Sequence, residues 1–434
     1  MSTQMIGVIS MAGLFGLILL RVPVSIAMGT AGFLGYAAID GWHRALITAG
    51  LVPYDLTDKY SLTVVPLFIL MGSVATRSGI SADLYRAANA LFSGFRGALA
   101  MGTVGACAGF GAICGSSLAT AATMTKVAVP QMRHFGYDER LATGVVASGG
   151  ILGVLIPPSV VLVIYAIMAE EGVPQLFAAA LLPGLASAAL HIVVISTVGF
   201  FQPHRLPKSD SLGIIERLSE LKRLWKMVIL FSIAVGGIYS GFMSPTEAAA
   251  VAAFVAILIG FITRTLSWSE FIESLVETIW TTGTLFFIII GAFLFSYFMA
   301  LTQLPNAITA WVHGLGTAPW VVILLMVAFY VVLGFFLDAI SMILITVPVF
   351  LPLANAVGYD GIWFGILVLV AVEVGMITPP VGLNIFVIRA QMPDIALKDV
   401  YWGIVPFLST HFVLIAILLL LPGIALWLPG VFYK

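Results

Sequence analysis

Two proline pairs within long apolar segments are the residues best suited to form a polar site in this chain. They lie at 157–158, after Gly153, and at 379–380, after Gly375. Because proline has no amide proton and disfavours helix in the residue before it, each pair predicts a break within a helix. Such a break exposes backbone carbonyl oxygens and restarts a helix whose N-terminus is positive. Inside a membrane this backbone is tolerated only where protein buries it or it lines a polar cavity, so the pairs predict a binding site.

A short polar segment provides further oxygen atoms. Cys114-Gly115-Ser116-Ser117 separates two apolar stretches, near 98–113 and 118–130, each too short to cross a bilayer. We therefore predict a re-entrant hairpin over 97–130, with the serines at its tip near the middle of the membrane.

The composition defines the class of protein. The chain has 434 residues, of which 61% are hydrophobic and 9% charged, and its mean hydropathy is +1.12. Apolar stretches recur along its whole length, so we predict an all-α polytopic membrane protein. The formal net charge of −1 argues against a nucleic-acid partner. Cys107 and Cys114 lie seven residues apart in one predicted helix, too far for a disulfide, and are predicted to be packing residues.

The predicted elements follow the same order in two parts of the chain. Complete crossings are predicted near 4–20, 22–40, 60–77, 138–171 and 175–201, and then near 227–242, 245–264, 275–301, 361–391 and 403–428. Each part also has an amphipathic arm followed by a hairpin, namely arm 80–95 with hairpin 97–130, and arm 305–314 with hairpin 318–354. The polar and basic segment 202–226 is predicted to be a soluble linker.

A fixed offset of 222 residues relates the two parts. It pairs Gly153 with Gly375, the two proline pairs, the Gly-Tyr-Asp triplets at 136–138 and 358–360, Pro130 with Pro352, and Pro23 with Pro245. A triplet and a proline pair in one register indicate an internal duplication over 1–201 and 227–434. The same offset places Asp338 at the position of Ser116, at the tip of the second hairpin.

Basic residues predict the orientation of both parts. Five crossings in each part require the two repeats to be inverted. With both termini outside, most basic residues face the cytoplasm, namely Arg21, Arg77, Arg86, Arg96, Arg133, Arg140, the linker 202–226, Arg264, Arg389 and Lys398. Only Arg44, Lys59 and Lys434 then lie outside, and Lys126 lies toward the cytoplasmic base of its hairpin. Inverted repeats, broken helices and a site at the midplane are typical of a secondary transporter.

The tip and the two breaks resemble a known family. The run GFGAICGSSLATAAT over 109–123 and the segments 152–159 and 375–382 are similar to the large membrane (M) subunit of tripartite ATP-independent periplasmic (TRAP) transporters. The resemblance covers essentially the whole chain. It implies a sodium-coupled, elevator-type importer of organic acids, similar to the ion-transporter superfamily, in the bacterial inner membrane. With the orientation predicted from the basic residues, both termini then lie in the periplasm. The resemblance also implies two separate partners, a small membrane (Q) subunit and a periplasmic protein that delivers the substrate.

Two sodium sites are expected on this resemblance, because hairpin tips and unwound carbonyls supply the oxygen ligands that a hard cation prefers. The first is expected at Gly115, Ser116, Gly153, Ile156 and Pro158. The second is expected, by the repeat, at Asp338, Gly375, Thr378 and Pro380. The alternative for Ser116 is a small residue that permits close helix packing. The alternative for Asp338 is a structural carboxylate held by a helix N-terminus.

An anionic substrate is expected between the two ions, near Ser117, Ser159 and Asn384, because helices restart there and favour a carboxylate. Alternatively, Ser159 only caps its helix and Asn384 satisfies a neighbouring carbonyl. Arg389 either draws in the anion or, more simply, forms an internal ion pair with Glu373 or extends to the cytoplasmic face.

Other functions fit the sequence less well. The six histidines are scattered, and neither a His-Glu-x-x-His pattern nor a phosphate-binding glycine loop occurs, so neither an enzyme nor direct ATP coupling is predicted. A stand-alone sodium/dicarboxylate symporter or a passive anion channel is the alternative. In the elevator interpretation the spans within 4–77 and 227–301 form a fixed scaffold, and the arms connect it to a moving rigid body.

Overall fold

The computed structural model describes residues 1–207 and 211–433, so Lys208 of the predicted linker and Lys434 lie outside the described residues. The helices of the first part of the chain are α1 Thr3–Leu19, α2 Val24–Asp40, α3 Trp42–Asp58, α4 Val64–Arg77, α5 Ile80–Phe92, α6 Ala98–Cys114, α7 Ser117–His134, α8 Glu139–Gly149, α9 Leu152–Leu155, α10 Val160–Ala169 and α11 Val173–Phe201.

The second part is also helical. Its helices are α12 Ile214–Leu221, α13 Trp225–Phe231, α14 Gly237–Tyr239, α15 Pro245–Ile262, α16 Trp268–Thr302, α17 Leu304–Gly314, α18 Pro319–Leu333, α19 Ala339–Ala356, α20 Gly361–Ile377, α21 Leu383–Gln391, α22 Leu397–Leu420 and α23 Gly423–Phe432. A π-helical segment, Ser232–Gly236, joins α13 to α14.

Several of these helices are long and apolar enough to cross a bilayer. Among the described residues six pass this test, namely Tyr60–Arg77, α11, α15, α16, α19 and α22. The pair formed by α8–α9 and α10 makes a seventh and is bent by 46°. The all-helical, multi-spanning class is therefore confirmed. The number of long spans is smaller than the ten predicted crossings, because predicted crossings such as α1, α2 and α20 are helices of 17 residues.

Local sequence explains where the helices around the breaks and hairpins begin. Asp138 caps α8, and Asp360 caps α20, each accepting hydrogen bonds from backbone amides two or three residues further on. Both ends of α7 lie 222 residues before the corresponding ends of α19. The residues that precede these two helices, Ser116 and Asp338, are both N-caps. The offset seen in the sequence is thus also present in the helix boundaries and their caps.

One group of packed helices combines α2 and α4 from the first part with α15 and α16 from the second. The contact between α2 and α16 depends on small residues, since a Cβ placed on Gly32 would lie 2.6 Å from the amide nitrogen of Phe295. Close backbone approach of this kind is typical of helix packing in membranes. We call these four helices the scaffold group.

A second group contains the hairpins and the broken helices. Helices α6 and α7 pack against each other, α7 packs against α8 and α21, and α8 packs against α22. From the second part, α18 and α19 pack against α20, and α19 also packs against α10. We call this set the hairpin group. Each half of the chain contributes one hairpin and one broken helix to it.

The structure differs from the sequence-based elements in four places. Helix α3 was not predicted, because Arg44, Asp55 and Asp58 interrupt its apolar pattern. Helix α16 begins seven residues before the predicted start at 275. The predicted crossing 403–428 is divided between α22 and α23 near Pro422. The linker 202–226 is not a free connection, since it contains α12, which packs on α5.

Candidate functional site

The first hairpin turns at Gly115 and Ser116. Gly115 follows the end of α6 and has a φ of 62°, a left-handed conformation that glycine adopts without strain. The Ser116 hydroxyl accepts a hydrogen bond from the amide of Ala119 at 3.3 Å. The Cys114 thiol lies 3.1 Å from the hydroxyl of Thr120, and both cysteines of the chain are free and buried, as predicted. The Ser116 side chain therefore caps α7 from the tip of a tight turn.

The first break lies directly beside this tip. A Cβ placed on Gly153 would be 3.2 Å from the carbonyl oxygen of Ser116, and one placed on Gly115 would be 3.1 Å from the carbonyl oxygen of Pro158. Ile156 follows α9 in an extended conformation and is buried. These five residues are the ones that sequence reasoning assigned to the first sodium site, and the structure places them in one region.

Helix α10 restarts after the proline pair, whose peptide bond is cis. Ser159 is its N-cap, and the hydroxyl accepts a hydrogen bond from the amide of Leu162 at 3.4 Å. The Ser159 side chain is completely buried. The capping role considered for Ser159 is therefore the one that its hydroxyl has in this structure.

The second tip and the second break have a related arrangement. Gly334 follows α18, and a Cβ placed on it would lie 2.5 Å from the Cα atom of Gly375. Asp338 caps α19, accepting hydrogen bonds from the amides of Ile340 and Ser341 at 3.1 and 3.4 Å and from the Ser341 hydroxyl. The Asp338 carboxylate thus has the structural contacts expected of an N-cap, and it also lies at a hairpin tip.

The polar groups that follow α20 differ in whether they have hydrogen-bond partners. The Thr378 hydroxyl donates to the carbonyl of Val374 at 2.6 Å, and the Pro380 carbonyl accepts from the hydroxyl of Tyr401. Asn384 is completely buried, and within the described residues neither atom of its amide group has a hydrogen-bond partner. The suggestion that Asn384 satisfies a neighbouring carbonyl is therefore wrong. No feature of the sequence indicated Tyr401.

The ion pair suggested between Glu373 and Arg389 is also wrong. The Arg389 guanidinium donates to the backbone carbonyls of Pro393 and Ile395, beyond the end of α21. Glu373 instead accepts a hydrogen bond from the Ser117 hydroxyl at 3.1 Å. The reason is geometric: Arg389 lies in the last turn of α21 and reaches the chain that follows it, whereas Glu373 lies in α20 before the break.

A cavity of about 230 Å³ is lined by residues of the first tip and of the scaffold group. Its walls include the tip residues Gly115 and Ser116, the restarted helix at Val160, the second tip at Ile340, and Glu277 of α16. Residues of both halves and of both helix groups therefore enclose one space. Two of the expected ligands of the first sodium ion, Gly115 and Ser116, line it.

A charged residue of the scaffold group, Glu277, lines this cavity and belongs to a cluster of ionised side chains. Glu277 accepts a hydrogen bond from the Ser73 hydroxyl at 2.7 Å and is 3.1 Å from Arg77. Arg77 also pairs with Glu273. Sequence reasoning did not include these residues in the site. The available signal was an ionisable residue, Glu277, inside the predicted span 275–301.

Comparison with known proteins identifies the family. A family model described as "Tripartite ATP-independent periplasmic transporter, DctM component" matches residues 11–424. The chain belongs to this family. The resemblance seen at 109–123, 152–159 and 375–382 is thereby confirmed, and this DctM component is a multi-pass inner membrane transport protein rather than an enzyme.

Related proteins support the same assignment. The chain is 38% identical over 379 residues to the C4-dicarboxylate TRAP transporter large permease protein DctM of Pseudomonas aeruginosa, covering 87% of this chain and 88% of that protein. It is 31% identical over 381 residues to the sialic acid TRAP transporter large permease protein SiaM of Vibrio cholerae, covering 86% and 87%. The two relatives differ in the substrates that their names state.

A solved structure shares the fold. The crystal structure of the Alcanivorax borkumensis YdaH transporter superposes with a TM-score of 0.62 at 16% sequence identity, covering 96% of this chain and 98% of the other. At this identity the similarity concerns the fold alone. The fold of this DctM component is therefore one that a transporter of distant sequence also adopts.

Proposed function

We propose that this DctM component imports an organic acid across the inner membrane, coupled to sodium and by an elevator-type movement of the hairpin group against the scaffold group. The observation that carries the proposal is the close approach of hairpin tip and broken helix, where a Cβ on Gly115 would lie 3.1 Å from the Pro158 carbonyl oxygen. Oxygen atoms at such a junction can bind a cation without a bare charge in lipid.

Sodium is a transported ion in this proposal. The first ion binds among Gly115, Ser116, Gly153, Ile156 and Pro158, which lie together beside the cavity. The second binds at the second tip and break, among Asp338, Gly375, Thr378 and Pro380. Because hydroxyl, carbonyl and carboxylate oxygens are ligands suited to hard cations, both sets have the right chemistry.

The organic acid binds between the two ions. The completely buried residues Ser159 and Asn384, together with Ser117, lie where helices restart, and a helix N-terminus favours a carboxylate. The names of the two relatives state a C4-dicarboxylate and sialic acid, both of which carry a carboxylate. Arg389 is engaged with backbone carbonyls, so we assign it attraction of the anion by charge rather than direct contact.

The partners and the orientation complete the proposal. A periplasmic binding protein delivers the acid, and a small membrane (Q) subunit associates with this chain. The halves 1–201 and 227–434 are inverted repeats with both termini in the periplasm and the linker 202–226 in the cytoplasm. The excess of basic residues in this linker, Arg205 among them, supports the orientation.

Uptake in proteoliposomes tests the function. The chain is reconstituted with its small subunit, and uptake of radiolabelled succinate or sialic acid is measured with a binding protein outside. We expect accumulation above the equilibrium level only with an inward sodium gradient and the binding protein. Uptake without a binding protein would indicate a stand-alone symporter, and uptake that stops at equilibrium would indicate a channel; either result refutes the proposal.

Asp338→Asn separates the capping role of this carboxylate from sodium binding. Asparagine caps helices about as well as aspartate, so α19 should remain intact. Loss of the charge should raise the sodium concentration for half-maximal uptake about tenfold, which corresponds to about 1.4 kcal/mol. The measurement is uptake against sodium concentration, with Asp360→Asn, which alters another N-cap on α20, as control. An unchanged sodium dependence would leave Asp338 as a cap only.

A further inference from the structure

Glu373 is a carboxylate inside the membrane with no role in the two proposed sodium sites or in substrate binding. It lies in α20 and is completely buried. One carboxylate oxygen, Oε1, accepts a hydrogen bond from the Ser117 hydroxyl at 3.1 Å, a contact between residues 256 positions apart. The other, Oε2, has no hydrogen-bond partner within residues 1–207 and 211–433. Glu373 therefore connects the start of α7 to the second broken helix and presents a free oxygen atom.

The described residues place no ion-pair partner beside this carboxylate. None of the ion pairs found in the described part of the chain includes Glu373. Arg389, the nearest arginine along the chain, donates to backbone carbonyls. An isolated buried carboxylate is costly, and it is compensated by a partner charge, by a bound cation or by protonation. Because none of the described ion pairs includes Glu373, its unpartnered oxygen is available to a cation from outside the chain.

The surroundings of Glu373 are suited to a small hard cation. Ser117 provides a hydroxyl oxygen. The segment that leads to the first break lies beside it, since a Cβ placed on Gly150 would be 3.0 Å from the Ser117 carbonyl oxygen. Beyond the second break, Asn384 is buried with an unpartnered amide oxygen. Carboxylate, hydroxyl, amide and carbonyl oxygens are the ligands that such ions prefer.

We propose that Glu373 and Ser117 hold an additional sodium ion, and that this ion must bind before the organic acid can. The inference rests on the proposed function. Without the ion, the negative charge of Glu373 repels a carboxylate placed near Ser117 and Asn384, and the repulsion is strong in a site of low dielectric. With the ion bound, the repulsion is cancelled. Glu373 thereby couples sodium to substrate by charge compensation.

Sodium-dependent thermal stability of the purified protein tests this without relying on transport. A ligand that binds only the folded state raises the unfolding temperature, and the dependence on ligand concentration reports how many ions bind. The unfolding temperatures of wild type and Glu373→Gln are measured over a range of sodium chloride concentrations. Choline chloride keeps the ionic strength constant. Glutamine keeps the shape and can still accept the Ser117 hydrogen bond. We expect the sodium dependence of the unfolding temperature to report about one bound ion fewer in Glu373→Gln than in the wild type.

Two further variants complete the test. Glu170→Gln removes an exposed carboxylate at the end of α10 and should behave as wild type. Ser117→Ala removes one ligand but keeps the carboxylate, so the ion should bind more weakly with its number unchanged. Two results would overturn the inference. In the first, the unfolding temperature of Glu373→Gln depends on sodium as that of the wild type does. In the second, Glu373→Gln loses only the pH dependence of its unfolding temperature, which would indicate that Glu373 binds a proton. A wild type with no sodium dependence overturns the sodium coupling of the proposed function instead.

Discussion

Oxidation of a Gly72→Cys variant should abolish uptake, and reduction should restore it. Gly72 lies in α4 of the scaffold group. A Cβ placed on it would be 2.8 Å from the Cα and 3.1 Å from the Cβ of Cys114, at the end of α6, so the two helices must move apart by several tenths of an ångström. Disulfides join Cβ atoms about 3.5–4.5 Å apart, so a small displacement is enough to form the bond. The new cysteine and the native one should therefore link the scaffold group to the first hairpin tip.

The expected loss is complete because the proposed mechanism requires the two groups to slide past each other. In an elevator the hairpins and broken helices move as one rigid body, and a covalent link across the interface holds it in place. The disulfide should leave the fold of each group unchanged, so that only the movement between the two groups is lost.

Uptake is measured in the proteoliposome assay before oxidation, after oxidation, and after treatment with a reductant. The matched control is Gly72→Cys combined with Cys114→Ser, which cannot form the link and should be insensitive to oxidant. The second native cysteine, Cys107, is buried against Gly149 and is present in both proteins. Full uptake by quantitatively cross-linked protein would refute the sliding of the two groups.

Gly111→Ala should destabilise the first hairpin and reduce uptake to near background. A Cβ placed on Gly111 would lie 2.0 Å from the Cα atom and 2.7 Å from the amide nitrogen of Gly153, and these are backbone atoms that cannot rotate away. Overpacking of this kind costs about 1–3 kcal/mol or more. Helix α6 would have to move away from the first break, which also separates Ser116 from the carbonyls beside it.

Gly105→Ala is the matched control for this substitution. It lies in the same helix, and its Cβ would be 3.5 Å from the Cβ of Ala88, an ordinary contact. Uptake and the unfolding temperature of the purified protein are measured for both variants. Equal behaviour of the two alanine variants would contradict the close approach of α6 to the first break.

The sequence was most informative where structure depends on near neighbours along the chain. The proline pairs predicted both breaks, because proline affects its own turn and the residue before it. The offset of 222 residues predicted that Asp338 has the same place in the second hairpin as Ser116 has in the first. Both residues are N-caps in the structure. Capping depends on a side chain and amides two or three residues away, so a repeat in sequence is sufficient to reproduce it.

Elements without a clear apolar pattern were less predictable. Helix α3 carries charged residues and was not predicted, and the division between α22 and α23 was hidden in a continuous apolar stretch. Periodicity and hydropathy identify long apolar segments well, but short amphipathic helices and breaks within apolar stretches give weak signals.

By itself the sequence therefore determined the class of protein, the two breaks, the related hairpin tips and the family. Only the tertiary structure decided which side chains meet. Glu373 pairs with Ser117 rather than with Arg389, and Ser73 with Glu277, across 256 and 204 residues of chain. Such contacts depend on how helices from the two halves pack, and packing of nearly uniform apolar surfaces is decided by small residues and close approaches that no local pattern encodes.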